Sequence, residues 1–373
     1  MKLLWCLSAA TLVACSDSIT SVPESTPDAD AHASLSRSIA EVYELTDLGT
    51  LGGAFAVGRD VNNADMVVGS SQTATGTVHA FVWAPGDDGG PGTMQDLGTL
   101  GGANSDAFAI NERGDIVGRA FASDGTRRPV LWRKIEESED EPAYQIIELP
   151  SLGGRSSAGF GINDRGDIIG FSLTPDAVLH PVLWTADGVL HDLGTFGGIN
   201  GQAFDINDKG EIVAARDVGA DLFTTAFVYS DKKGFRDLGN LGGTGPAEGS
   251  IGQRINVNTE VAGYSITADG VDHAFFWSES TGILDLGTLG GAQSLGFGIN
   301  QRGAVVGMAD NSAGLARAFL WTMADGMRDL GALMENGSSL AWAINDRGSV
   351  TGSSDTVTGE THATLWRLRP TRE

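Results

Sequence analysis

Basic residues are scarce in this chain. Its 373 residues include 24 Lys and Arg against 48 Asp and Glu, a net charge of −24. Nucleic-acid binding needs Lys and Arg to neutralise phosphates, so this balance argues against that partner. It suits an exported, soluble surface that meets cations or cationic polymers. Cysteine is nearly absent, with only Cys6 and Cys15. Proline is held to 11 residues while glycine reaches 53, a ratio that points to tight turns rather than disorder. No segment sustains a 3.6-residue apolar period, which excludes a helical solenoid. No His-Glu-x-x-His, Cys-x-x-Cys, Gly-x-Ser-x-Gly or EF-hand loop is present, and no cofactor is implied.

The apolar run Leu3–Val13 has 11 residues, short of the roughly 20 that a spanning helix needs. Lys2 precedes it and Leu12-Val13-Ala14-Cys15 ends it, which reads as an export signal over 1–14. Small residues before a cysteine resemble a bacterial lipobox; an ordinary signal peptide with a chance cysteine is the alternative. The lipobox resemblance implies cleavage before Cys15, lipid on its thiol and, with Ser16 next, an outer-membrane lipoprotein facing the periplasm or the cell surface. Cys6 is then removed and Cys15 consumed, so no disulfide is available. Residues 15–42 are rich in Ser, Thr, Pro, Asp, Glu and Ala and read as a lipidated flexible tether.

The remainder, 43–373, is repetitive. Asp-Leu-Gly-Thr-Leu-Gly-Gly stands at 47–53, 96–102 and 285–291, with near copies starting at Glu148, Asp192, Asp237 and Asp329. An Ile-Asn or Val-Asn pair follows, as at Val61-Asn62 and Ile110-Asn111. Then come a Val/Ile run ending in Gly and an aromatic run ending in Trp83, Trp132, Trp184, Tyr229, Trp277, Trp321 or Trp366. Each unit therefore offers four short strands, a to d, separated by turn residues. In the a–b turn, Asn111 caps and Gly114 supplies a positive φ. Asp65 and Thr259 replace that glycine in two units, whose turns are expected to be less regular. Four antiparallel strands in each of seven repeats predict an all-β, seven-bladed β-propeller. The first element is a lone strand d at 43–49 and the last a strand c at 362–366. Their pairing is expected to complete the seventh blade and remove an exposed edge.

The His-Ala-Phe triplets at 79–81 and 273–275, the Ala-Phe pairs at 226–227 and 318–319, and the Asp-Leu-Gly-Thr-Leu-Gly-Gly strings resemble the HAF-repeat family of probable extracellular bacterial proteins. The resemblance covers roughly 43 to 367 and departs at 129–132, 181–184 and Ala363-Thr364. It implies export and a repeat scaffold, and it implies no activity.

Residues that recur in every unit read as architecture. The glycine-rich strings lack the helix that a phosphate loop needs and read as turns between blades. His79, His180, His273 and His362 share one repeat position. On third strands, about 4.8 Å apart within each sheet, they are too dispersed to ligate one metal at about 2 Å; each is expected to bond to a neighbour, and no metal site is assigned. Breaks in the repeat are the candidates for function. In strand a, the usual aromatic-small-Ile-Asn pattern is replaced by Arg59-Asp60, by Asp205 and by Gln253-Arg254, placing Arg59, Asp60, Asp205 and Arg254 as candidate channel-binding residues. The longest c–d loop carries Glu136, Glu137, Glu139, Asp140 and Glu141, a candidate loop surface; a further insertion spans Thr244 to Gly249. The reading is a non-catalytic binding or scaffold module on the cell envelope with a protein or glycan ligand. The alternatives are a hydrolase or lyase acting on an extracellular polysaccharide, for which an acid pair in the channel suffices, and a self-associating structural envelope protein.

Overall fold

The computed structural model describes residues 43–86, 91–135, 144–218, 223–243 and 249–368. The signal, Cys15, the tether, the acidic loop Glu136–Glu141 and most of the 244–249 insertion lie outside the described residues. Among the described residues there are 28 strands and no helix. The first complete unit runs Gly52–Val61, Val67–Thr73, Val78–Ala84, Thr93–Asp96, each strand antiparallel to the next. Five further units form separate four-stranded sheets in the same sequential order. Ser339–Ile344, Val350–Asp355 and Thr361–Leu368 make the remaining unit, and Tyr43–Gly49 joins it antiparallel to Thr361–Leu368. Leu45 faces Trp366 and Asp47 faces Thr364 in that register. The pairing expected between the first and last strands is therefore present. A single parallel bridge, Phe55 to Thr361, links this unit to the first, so the two count as one eight-stranded sheet.

The strand boundaries follow the repeat because each residue class has a place in it. Val and Ile of strand b, and the aromatic run of strand c, are buried on both faces: Val67, Val68, Phe81, Val117 and Trp132 have no exposed surface. The core lies between successive sheets. Trp132 of the second unit packs with Val68 and Val82 of the first, and its indole N–H donates to the Leu97 carbonyl, 2.9 Å away. A ring of this size covers the gap between two sheet faces and finds a polar partner at its edge.

Every strand a carries a β-bulge one residue before the small position, at Arg59, Phe108, Phe160, Phe204, Gln253, Phe297 and Trp342. A bulge inserts an unpaired residue and re-aims its side chain. It also drives a strand-a carbonyl against strand b. A Cβ on Gly69 would meet the Val57 oxygen at 1.9 Å, which favours the glycine that ends the Val/Ile run in six units; Ala214 stands there in the fourth.

The turns with Asp65 and Thr259 are as regular as the rest, contrary to the sequence expectation. Asp65 has φ 59° and Thr259 φ 65°, close to the 86° of Gly114. Their amides bond to Asn62 and Asn256 as the Gly114 amide bonds to Asn111, at 3.0–3.1 Å. Side-chain partners hold these residues in a conformation that L side chains resist. Asp65 accepts from Asn345 and Arg367, at 3.1 and 2.9 Å. The Thr259 hydroxyl donates to Glu211 at 2.6 Å.

Candidate functional site

The asparagine after each strand a does two jobs. Its Oδ1 accepts from the amides two and four residues on, as Asn111 does from Arg113 and Asp115 at 3.1 and 3.0 Å. Its Nδ2 donates to the backbone carbonyl of the corresponding asparagine in the next unit. The series runs Asn62, Asn111, Asn163, Asn207, Asn256, Asn300, Asn345 and returns to Asn62, at 2.9–3.3 Å. The cap was legible in the sequence; the link to the next sheet was not. These bonds hold the strands a side by side around a cavity of about 340 Å³ lined from all seven of them.

One residue beyond each asparagine, a second series forms the mouth. The amides of Asn63, Glu112 and Asp164 donate to the side chains of Glu112, Asp164 and Asp208. Those of Val257, Gln301 and Asp346 donate to Gln301, Asp346 and Asn63. Val257 has no acceptor for Asp208, so the series breaks there. Four carboxylates thus face one mouth. Burial raises the Glu112 carboxyl above its usual range; the Asn63 amide opposes this, and Asp164, Asp346 and Asp60 add to it. Sequence analysis did not single out this ring, although its fixed place after the asparagine was a usable signal.

Deeper in, the small position of strand a holds Asp60, Ala109, Gly161, Asp205, Arg254, Gly298 and Ala343. Three of the four candidate channel residues meet at this level. The Arg254 guanidinium lies 3.5 Å from Asp205, 4.0 Å from Asp60 and 3.3 Å from the Phe108 carbonyl. Each aspartate also accepts from the amide of the next strand a: Asp60 from Ile110 at 3.0 Å and Asp205 from Ile255 at 3.1 Å. Small neighbours make room, since a Cβ on Gly161 would come within 2.6 Å of Asp205. Burial pushes Asp205 up to about 6, against Arg254 and the Ile255 and Ile206 amides and with help from Asp60. Burial raises Asp60 as well, against Arg254 and two amides. For Arg254, burial works to lower the pKa, but Asp60 and Asp205 outweigh it and hold the pKa up. Burial thus acts against both carboxylates, while the two aspartates hold the charge on the guanidinium.

Arg59, the fourth candidate, does not join them. As the bulged residue it turns away from Asp60 and lies over the Trp342 ring, 4.1 Å from its centroid. Trp342 stacks in turn on Phe297, 4.4 Å away. The four repeat histidines behave as expected: each Nδ1 meets the aspartate of its own Asp-Leu-Gly string, at 2.7–2.9 Å. Among the described residues no group of three His, Cys, Asp or Glu is arranged to hold a metal.

A second concavity, of about 620 Å³, lies against Phe196, Tyr229 and Phe235. The strand b behind its loop carries a substitution. Four other units place a serine on strand b that accepts from a loop leucine amide, as Ser71 does from Leu51 at 2.8 Å. Arg216 stands there instead and donates to the Phe196 carbonyl, and Phe196 takes φ 56°.

A scan against protein-family models finds no match to this chain, and a search of curated proteins finds none. Solved structures with the same fold do exist. Puromycin hydrolase, as an S511A mutant complexed with PGG, aligns with TM-score 0.57 and 12% identity over 87% of this chain and 55% of its own. The β-propeller domain of the Trilobed protease from Pyrococcus furiosus aligns with TM-score 0.52 and 9% identity over 87% of this chain and 93% of its own. TolB from Acinetobacter baumannii aligns with TM-score 0.45 and 11% identity over 84% of this chain and 64% of its own. The chain spans a little over half of puromycin hydrolase and under two thirds of TolB. The likeness to the Trilobed protease domain shows a β-propeller fold, and at this identity it shows the fold alone.

Proposed function

We propose that the chain is a closed seven-bladed propeller of the HAF-repeat kind, exported and held at the outer membrane by lipid on Cys15, and that it serves as a non-catalytic binding module whose ligand enters the central channel. The closed reading is supported by the pairing of Tyr43–Gly49 with Thr361–Leu368 and by the bond from Asn345 back to Asn62. One observation carries the binding reading. Three of the four charges that break the repeat, Asp60, Asp205 and Arg254, meet in the channel, and there they are bonded to one another and to backbone amides. An acid–base pair for hydrolysis needs a carboxyl free to meet substrate; Asp60 and Asp205 are bound to Arg254 and to the wall.

A hydrolase remains the second reading because Asp205, held at about 6, has the acidity of a general acid near neutrality. A glycan array probed with the full-length protein separates the two. Binding without turnover is expected, with loss of signal when the channel charges are neutralised at the mouth (Asp164→Asn with Asp208→Asn) or deeper (Arg59→Gln). Turnover abolished by Asp205→Asn overturns the binding reading, and so does binding that survives both sets of changes. Lipidation is checked by radiolabelled palmitate, which is expected to enter the wild type and not Cys15→Ser.

A further inference from the structure

The bulged position of strand a is aromatic in five units, Gln253 in one and Arg59 in one. Arg59 is only 9% exposed. Its Nε is shut off from solvent with no partner, and no carboxylate or carbonyl meets its other nitrogens among the described residues. The Trp342 ring covers one face of the guanidinium. Asp106, the nearby carboxylate, is already engaged: Oδ2 accepts from Arg119 at 2.7 Å and Oδ1 from Ser70 at 2.8 Å. Arg254 is matched by Asp60 and Asp205. Of these three arginines, Arg59 is the one without a carboxylate bonded to it.

Burying an ion without a partner is costly, and a phenylalanine fits this position in four other units. We propose that Arg59, stacked on Trp342, is the anchor of a binding site for a small oxyanion, a carboxylate or phosphate group. The proposal rests on the channel-binding reading and names the chemistry of the ligand. Stacking blocks the face of a guanidinium and leaves its edge, whose N–H fork matches two oxygens of a carboxylate or phosphate. Trp342 is itself held between Arg59 and Phe297, so the stack fixes the fork in one orientation. Arg59 precedes Asp60 on its strand and the mouth residue Asn63 follows it, so the site lies on the far side of the Asp60 level from the acidic mouth. Electrostatics favour an anion there: burial lowers the Arg59 pKa to about 10, Asp106 opposes the shift, and Arg119 and Arg254 add to it. An anion relieves that strain.

Isothermal titration of the full-length protein with benzoate and with inorganic phosphate tests the site. One saturable site is expected, tighter for benzoate if the ligand group is a carboxylate and tighter for phosphate if it is a phosphate. Arg59→Gln is expected to weaken binding about tenfold or more, the loss of one charge-assisted hydrogen bond. Trp342→Leu is expected to weaken it about threefold, the worth of a partly exposed cation–π contact. Arg236→Gln, on the outer strand d and paired with Glu279, is expected to leave binding unchanged. Gln253 shows that the bulge accepts glutamine, so Arg59→Gln is expected to fold and to melt no lower than wild type. No binding of either anion to wild type overturns the site, as does equal binding by Arg59→Gln. If array ligands are lost only with Asp164→Asn and Asp208→Asn, the Arg59 site falls while the channel reading stands. If anions bind through Arg59 and the array finds nothing, the site stands alone.

Discussion

Arg254→Met is expected to destabilise the protein by about 3–5 kcal/mol at pH 7, the cost of leaving buried charge unpaired. The loss is expected to shrink at pH 4.5. The sign follows from the aspartates. Asp205 titrates at about 6 in the folded protein and near 3.9 when unfolded. The folded state thus holds the proton more tightly. Stability from this group is present below about pH 4 and is lost as pH rises through 6. Without Arg254 the main opposing charge is gone, both carboxyls move further up, and the penalty at neutral pH grows while the acid form is spared. Urea unfolding of wild type and variant at pH 7 and pH 4.5 reads this directly. Adding Asp205→Asn to Arg254→Met is expected to restore part of the loss at pH 7 and none at pH 4.5. A loss that is the same at both pH values would mean that Arg254 matters only as packing.

Asn207→Ala is expected to cost about 3–4 kcal/mol. The side chain donates to the Asn256 carbonyl at 2.9 Å and to Glu211 at 3.0 Å, and accepts from the Lys209 and Glu211 amides at 3.0 Å. Removing it strands several buried groups, each worth about 1–3 kcal/mol when unsatisfied. Asn207→Asp separates the two jobs of the residue. The carboxylate keeps both acceptor bonds in its own turn but loses the donated bond to the next sheet, and it faces Glu211. If the link between sheets matters, the Asp variant is expected to be nearly as unstable as Ala in denaturant melts. A wild-type melt for Asn207→Asp would leave only the local cap.

The limits of the sequence are visible in these same residues. The cap role of Asn207 lies within four positions of the chain and was legible. Its inter-sheet partner lies 49 positions away, beyond any local pattern. Strand order, the aromatic at the end of strand c and the pairing of the first and last strands followed from a repeat whose spacing is nearly constant. Arg59 and Asp60 looked like one feature because they are adjacent. The bulge sorts them into different levels, and no composition signal marks a bulge at an arginine. Thr259 misled in the opposite direction: the rule that such a turn needs glycine gave way to the Glu211 carboxylate waiting for its hydroxyl. Arg216 was invisible because its effect is on a loop about 20 positions earlier.

The partnership of Tyr43–Gly49 with Thr361–Leu368 also sets an order of events in time. The Tyr43 hydroxyl donates to the Gly348 carbonyl across 305 positions, and Asp47 meets His362 across 315. The six units in between can each zip up from neighbouring segments, within about 50 residues of chain. In the remaining unit only Tyr43–Gly49 is distant, and it has no partner until Thr361–Leu368 has emerged from synthesis. Until then Tyr43–Gly49 waits as an unpaired edge. Joining the two ends is the longest loop the molecule closes and belongs late in folding, so a chaperone or a mispairing neighbour has its opening at this one strand, after most of the molecule is already built.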